Sequence, residues 1–176
     1  MTRWVALLRG VNVNGVTIRS ADLAALFRGL GYTDVRTVLA SGNVVFTDEG
    51  DAADGPTVRS RIERALAERF GYDAWIVLVE HDRLAGLVDA YPFPEDSETH
   101  AYVVFTSDPA SRDELLTVPP ADVERIAPGD GVVYWACPKG SSTDTPFART
   151  AARARYRSTT TTRNANTLRK MLRPRG

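Results

Sequence analysis

The chain has 176 residues, 43% hydrophobic and 25% charged, which is the makeup of a folded globular protein long enough to bury a full core. No apolar run approaches the roughly 20 residues that span a bilayer. The start, Met1 to Arg9, is too briefly apolar for a signal-peptide core, so a cytoplasmic protein without membrane contact is expected. Acidic and basic residues balance at 22 each. Residues 1–138 nevertheless carry 12 basic against 21 acidic side chains, and residues 139–176 carry 10 against one. A segment this basic points to an anionic partner, or to docking on the acidic remainder of the chain.

Trp4 to Leu8 is a continuous apolar run, the pattern of a central strand covered on both faces. A loop Gly10 to Gly15 follows. Ser20 then caps a helix whose Leu23, Leu26, Phe27 and Leu30 share one face, and Gly31 stops it. Val35 to Ala40 and Val44 to Thr47 flank Ser41-Gly42-Asn43 as a tight hairpin. Pro56 opens a second helix that ends at Gly71. Trp75 to Val79 reads as a buried strand, and His81-Asp82 begin a short helix closed by Tyr91-Pro92-Phe93-Pro94.

The same order then repeats without obvious sequence identity. Ala101 to Phe105 is a strand, and Asp108-Pro109 caps and opens a helix. Val123 to Ala127 and Val132 to Ala136 flank the turn Pro128 to Gly131. Thr145-Pro146 opens a further helix, Thr159 to Thr162 is strand-compatible, and Leu168, Met171 and Leu172 form a last helical stripe. The expected fold is therefore α+β, with two ferredoxin-like β-α-β-β-α-β-α repeats over residues 1–96 and 97–176 and largely antiparallel sheets of order 4-1-3-2. In that order the loop after the first strand and the hairpin between the second and third emerge at one sheet edge.

That edge gathers Arg9, Asn12, Asn14, Ser41 and Asn43. Gly10 and Gly15 have the spacing of a phosphate-binding loop, but Val16 stands where such a loop needs lysine. Nor does the loop contain a three-glycine dinucleotide fingerprint. Ser41-Gly42-Asn43 is explained by turn chemistry alone, or by ligand contact. Thr162, Arg163 and Asn164 lie at a strand-to-helix junction, as helix caps, as an anion site, or as both. Cys137 in its apolar run reads as an inert buried thiol. His81 and His100 have no metal-ligand spacing, so neither a metal nor another cofactor is expected.

Ala6-Leu7-Leu8-Arg9-Gly10-Val11-Asn12-Val13, Ser41-Gly42-Asn43-Val44-Val45-Phe46 and Thr161-Thr162-Arg163-Asn164 resemble, in order, three stretches of a bacterial family known as domain of unknown function 1697. The resemblance implies a two-repeat ferredoxin-like α+β architecture and no established activity, so no catalytic residue is carried over. Members have Asn-Trp-Asn where this chain has Ala165 between its asparagines. They also have glycine, a basic residue, serine and lysine near Gly140-Ser141-Ser142-Thr143. Three readings of function stand. The first is a binder of an anionic small molecule or nucleic acid. The second is an enzyme that acts on a small polar substrate through Arg9, Asn12, Asn43 and Arg163 by electrostatic stabilisation. In the third the basic segment is purely structural. The oligomeric state is not encoded.

Overall fold

The computed structural model describes residues 1–9, 17–39, 42–51, 54–71 and 73–174. Asn12, Asn14 and Ser41 lie outside them. The described residues form a mixed α+β protein with two four-stranded antiparallel sheets and six helices. Compactness divides the chain into Met1–Ala85 with Lys170–Gly176, and Gly86–Arg169.

The first unit contains β1 (Thr2–Arg9), α1 (Ser20–Gly29), β2 (Thr33–Thr37), β3 (Asn43–Asp48), α2 (Gly55–Phe70), β4 (Trp75–Glu80) and the start of α3 (His81–Asp89). Its strands lie in the order β2-β3-β1-β4, every neighbouring pair antiparallel. Period-two alternation sends Trp4, Ala6 and Leu8 to one face of β1, where they pack with Leu23 and Phe27 of α1 and Ile62 and Leu66 of α2. Val5 and Leu7 on the other face are fully buried too, which is why β1 is apolar without interruption. Asp54 caps α2 by accepting the Thr57 amide at 2.8 Å, Pro56 lies in the first turn, and Gly71 ends the helix at φ 62. At α1 the expected cap is displaced by one residue. Arg19 is the N-cap and makes no side-chain capping bond, and Ser20 is already helical.

The second unit contains β5 (Thr99–Thr106), α4 (Pro109–Leu116), β6 (Arg125–Gly129), β7 (Val132–Pro138), α5 (Pro146–Ala151), a 3-10 turn (Ala154–Tyr156), β8 (Thr160–Asn164) and most of α6 (Ala165–Leu172). The order is β6-β7-β5-β8, again antiparallel throughout. Asp108 caps α4 and Thr145 caps α5, each followed by proline. One face of this sheet packs Val104, Val133, Trp135 and Cys137 with Leu115 of α4 and Phe147 of α5. Among the described residues no helix is long and apolar enough to cross a membrane.

Candidate functional site

In the first unit the edge at the carboxyl end of β1 is as the topology requires. The Leu8 amide donates to the Gly42 carbonyl at 2.8 Å, Leu7 lies opposite Asn43, and Arg9 lies opposite Trp75. Arg9 and Asn43 thus share an edge. Asn43 is wholly enclosed, however, and its amide nitrogen donates to the Val38 carbonyl at 2.9 Å. The Val38 amide donates to the Asn43 carbonyl at the same distance. These bonds close the hairpin, and they give Asn43 a turn-closing role with no surface to present. Leu39, beside them, is 51% exposed with φ 58, a left-handed conformation that costs a branched residue energy.

Thr162, Arg163 and Asn164 belong to the second unit, on β8. Thr162 is exposed, while the Arg163 guanidinium donates to the Thr161 hydroxyl at 2.7 Å and the Thr162 carbonyl at 3.0 Å. The Asn164 side-chain oxygen accepts the Asn166 amide at 2.9 Å, the bond of a helix cap at the start of α6. The register Tyr102 opposite Asn164 sets this cap at the amino end of β5.

Because β7 and β8 both run antiparallel to β5, their carboxyl ends meet at that same edge. A cleft of about 430 Å³ opens there, lined by Thr99, His100 and Ala101 of β5, Lys139 after β7, Asn164, Asn166 and Arg169, and Glu95 and Asp96. Sequence reasoning found Asn164 alone of these. The Arg169 guanidinium grips Glu95 with two bonds, 2.8 and 2.6 Å, and donates to the Asn166 side-chain oxygen at 3.1 Å. The bond to Glu95 raises the Arg169 pKa further. Asp96 accepts the Glu98 and Thr99 amides and the Thr99 hydroxyl, each within 2.9 Å. Those bonds, the Glu98 amide foremost, hold its carboxyl below the usual range.

Both acids of the cleft therefore have internal donors. Lys139 is exposed and makes no ion pair among the described residues, and the side-chain NH2 groups of Asn164 and Asn166 remain available as donors. The lining is donor-rich and offers few unoccupied acceptors. His100 adds a ring that packs 5.4 Å from Tyr102, itself stacked on Trp135 at 5.0 Å.

A second polar cluster is closed to solvent. Glu124 is 3% exposed, and its carboxylate accepts the Trp135 indole N–H at 3.0 Å, the Ala121 amide at 3.0 Å and the Phe147 amide at 3.3 Å. Cys137 is buried close by. Burial first, and then the Glu124 charge, push its thiol up to about 11. At pH 8 the thiolate is scarcer than in an ordinary cysteine by about a hundredfold. Alkylation by iodoacetamide is expected to be negligible in the native protein and rapid in denaturant, followed by mass spectrometry. Rapid native labelling would overturn the inert assignment. Among the described residues no group of three His, Cys, Asp or Glu is placed to hold a metal ion.

The model of a family described as "Protein of unknown function (DUF1697)" matches residues 1–134. The chain belongs to that family. Among solved structures it is similar to the conserved bacterial protein SP0830 from Streptococcus pneumoniae, at 20% identity and a TM-score of 0.77, over 97% of this chain and 96% of that one. At that identity the likeness shows the fold alone. No curated protein shows significant sequence similarity to the chain. Membership in DUF1697 agrees with the resemblance carried by the Arg9 and Asn43 stretches, both of which lie in the matched residues.

Proposed function

We propose that this DUF1697 chain binds a small anionic molecule in the cleft at the amino end of β5. One observation carries the reading: the cleft's acids are already bonded to their own turn and to Arg169, while the Lys139 ammonium and the side-chain NH2 groups of Asn164 and Asn166 donate to no described residue. Such a lining favours an acceptor-rich ligand, because charge-assisted bonds to an oxyanion are stronger than neutral ones. The capped start of α6 adds a favourable dipole. The shared strand order of the two sheets supports reading the chain as a duplicated ferredoxin-like unit. In such a unit, Thr162, Arg163 and Asn164 lead into the cleft. Arg9, with the loop residues Asn12 and Asn14 and Ser41, remains a second candidate edge in the first unit.

The test is a thermal-shift screen with phosphorylated metabolites, carboxylates, nucleotides and short RNA, since a bound ligand raises the melting temperature by mass action. Lys139→Met is expected to abolish the shift of any hit, or weaken its affinity about tenfold, while leaving the free protein's melting temperature unchanged. A hit that Lys139→Met binds as well as the parent places the site elsewhere.

A further inference from the structure

We infer that the anion this cleft takes is a carboxylate, which docks on the Arg169 guanidinium in place of the side chain of Glu95. The inference rests on the proposed binding role of the cleft and names the chemistry recognised there.

A guanidinium presents parallel N–H groups that match the two oxygens of a planar carboxylate. Arg169 already holds one carboxylate in that fork, with both Glu95 oxygens engaged. The two partners differ in how firmly they are held. Arg169 stands on α6, a helix fixed by the fully buried Leu168 and Met171. Its fork is aimed by the additional bond to Asn166. Glu95 stands in the stretch 91–98, which has no helix or strand and is largely exposed.

Release of Glu95 would leave the start of β5 intact. The turn into that strand is closed independently, by Asp96 accepting from Glu98 and Thr99. The Arg169 and Glu95 side chains are 37% and 39% exposed, so solvent already reaches the pair. A solvated ion pair contributes little to stability and exchanges readily for an equivalent one. Glu95 therefore stands in for the ligand, and it competes with that ligand for the fork. Lys139 lines the same cleft and supplies a second positive charge, so a dicarboxylate is the natural probe.

The experiment titrates succinate and, separately, inorganic phosphate into the full chain by calorimetry at low ionic strength. The parent is compared with Glu95→Gln and Arg169→Gln, with melting temperatures measured in parallel. Glu95→Gln removes the competing charge at constant shape and is expected to tighten succinate binding about three- to fivefold. Arg169→Gln is expected to abolish it. Unchanged or weaker succinate binding in Glu95→Gln overturns the inference, as does full binding in Arg169→Gln. If Arg169→Gln fails to fold, the Glu95→Gln comparison decides alone. Binding of phosphate without succinate sinks the carboxylate and leaves the anion-binding role standing. Binding of neither sinks both.

Discussion

Glu124→Leu is expected to destabilise the protein by roughly 3–5 kcal/mol, because it leaves two buried donors and one part-buried donor without an acceptor. Those donors are the Trp135 indole, the Phe147 amide in the first turn of α5 and the Ala121 amide before β6. The Trp135 and Phe147 donors cannot turn to water without moving β7 or α5. Glu124→Gln is subtler. Its carbonyl oxygen can still accept the two backbone amides, but its NH2 then faces the Trp135 N–H, donor against donor. The expected loss is about 1–3 kcal/mol. Trp135→Phe removes the opposing donor. In the double variant Glu124→Gln/Trp135→Phe the two losses should therefore add to less than their sum, with a coupling of about 1 kcal/mol or more. Urea unfolding monitored by circular dichroism measures the four variants against the parent. A Glu124→Leu loss below about 1 kcal/mol would show that the carboxylate does not tie β6, β7 and α5 together.

That clamp marks a boundary of what a sequence reveals. The sequence pattern places a strand over Val123 to Ala127. The strand begins at Arg125, Val123 is 63% exposed and Glu124 is enclosed. The inversion has a local cause. The Glu124 amide donates to the Ala121 carbonyl, and the turn this makes swings the carboxylate inward beneath Trp135. An apolar pattern of period two cannot register a turn that reverses its phase.

By contrast, the starts of α2, α4 and α5 are legible from Pro56, Asp108-Pro109 and Thr145-Pro146, since helix-start signals act within a few residues of their own position. The apolar run of β1 was legible for the same reason: burial on both faces leaves its mark on consecutive residues. The cleft was not. Three of its charged members, Glu95, Lys139 and Arg169, are separated by up to 74 positions and meet only through the antiparallel register of β5 with β7 and β8. Asn164 was found because a cap announces itself locally. Its neighbours Lys139 and Arg169 looked like any other members of a basic segment.

Gly129→Ala and Gly86→Ala are expected to change stability in opposite directions. A Cβ on Gly129 would stand 2.5 Å from the Val132 Cγ2 and 2.6 Å from the Tyr134 Cε2, far inside van der Waals contact. Neither neighbour can yield cheaply. Val132 is 1% exposed and branched at Cβ, and the Tyr134 ring is anchored by its hydroxyl, which donates to the Leu87 carbonyl at 2.6 Å. The Gly129 carbonyl is itself tied to the Arg112 guanidinium at 2.9 Å, so the backbone of β6 is restrained as well. Overpacking of this kind costs about 1–3 kcal/mol, more than the few tenths to 1 kcal/mol that alanine returns by restricting the unfolded chain. At Gly86, within α3, a Cβ meets nothing within 4 Å and the position is exposed. There the unfolded-state effect and the higher helix propensity of alanine act alone, for a gain of about 0.4–1 kcal/mol. Urea midpoints of the two variants against the parent measure the contrast. A Gly129→Ala protein as stable as the parent would mean that the β6–β7 hairpin shifts freely, against the close packing of Val132 and Tyr134 on its inner turn.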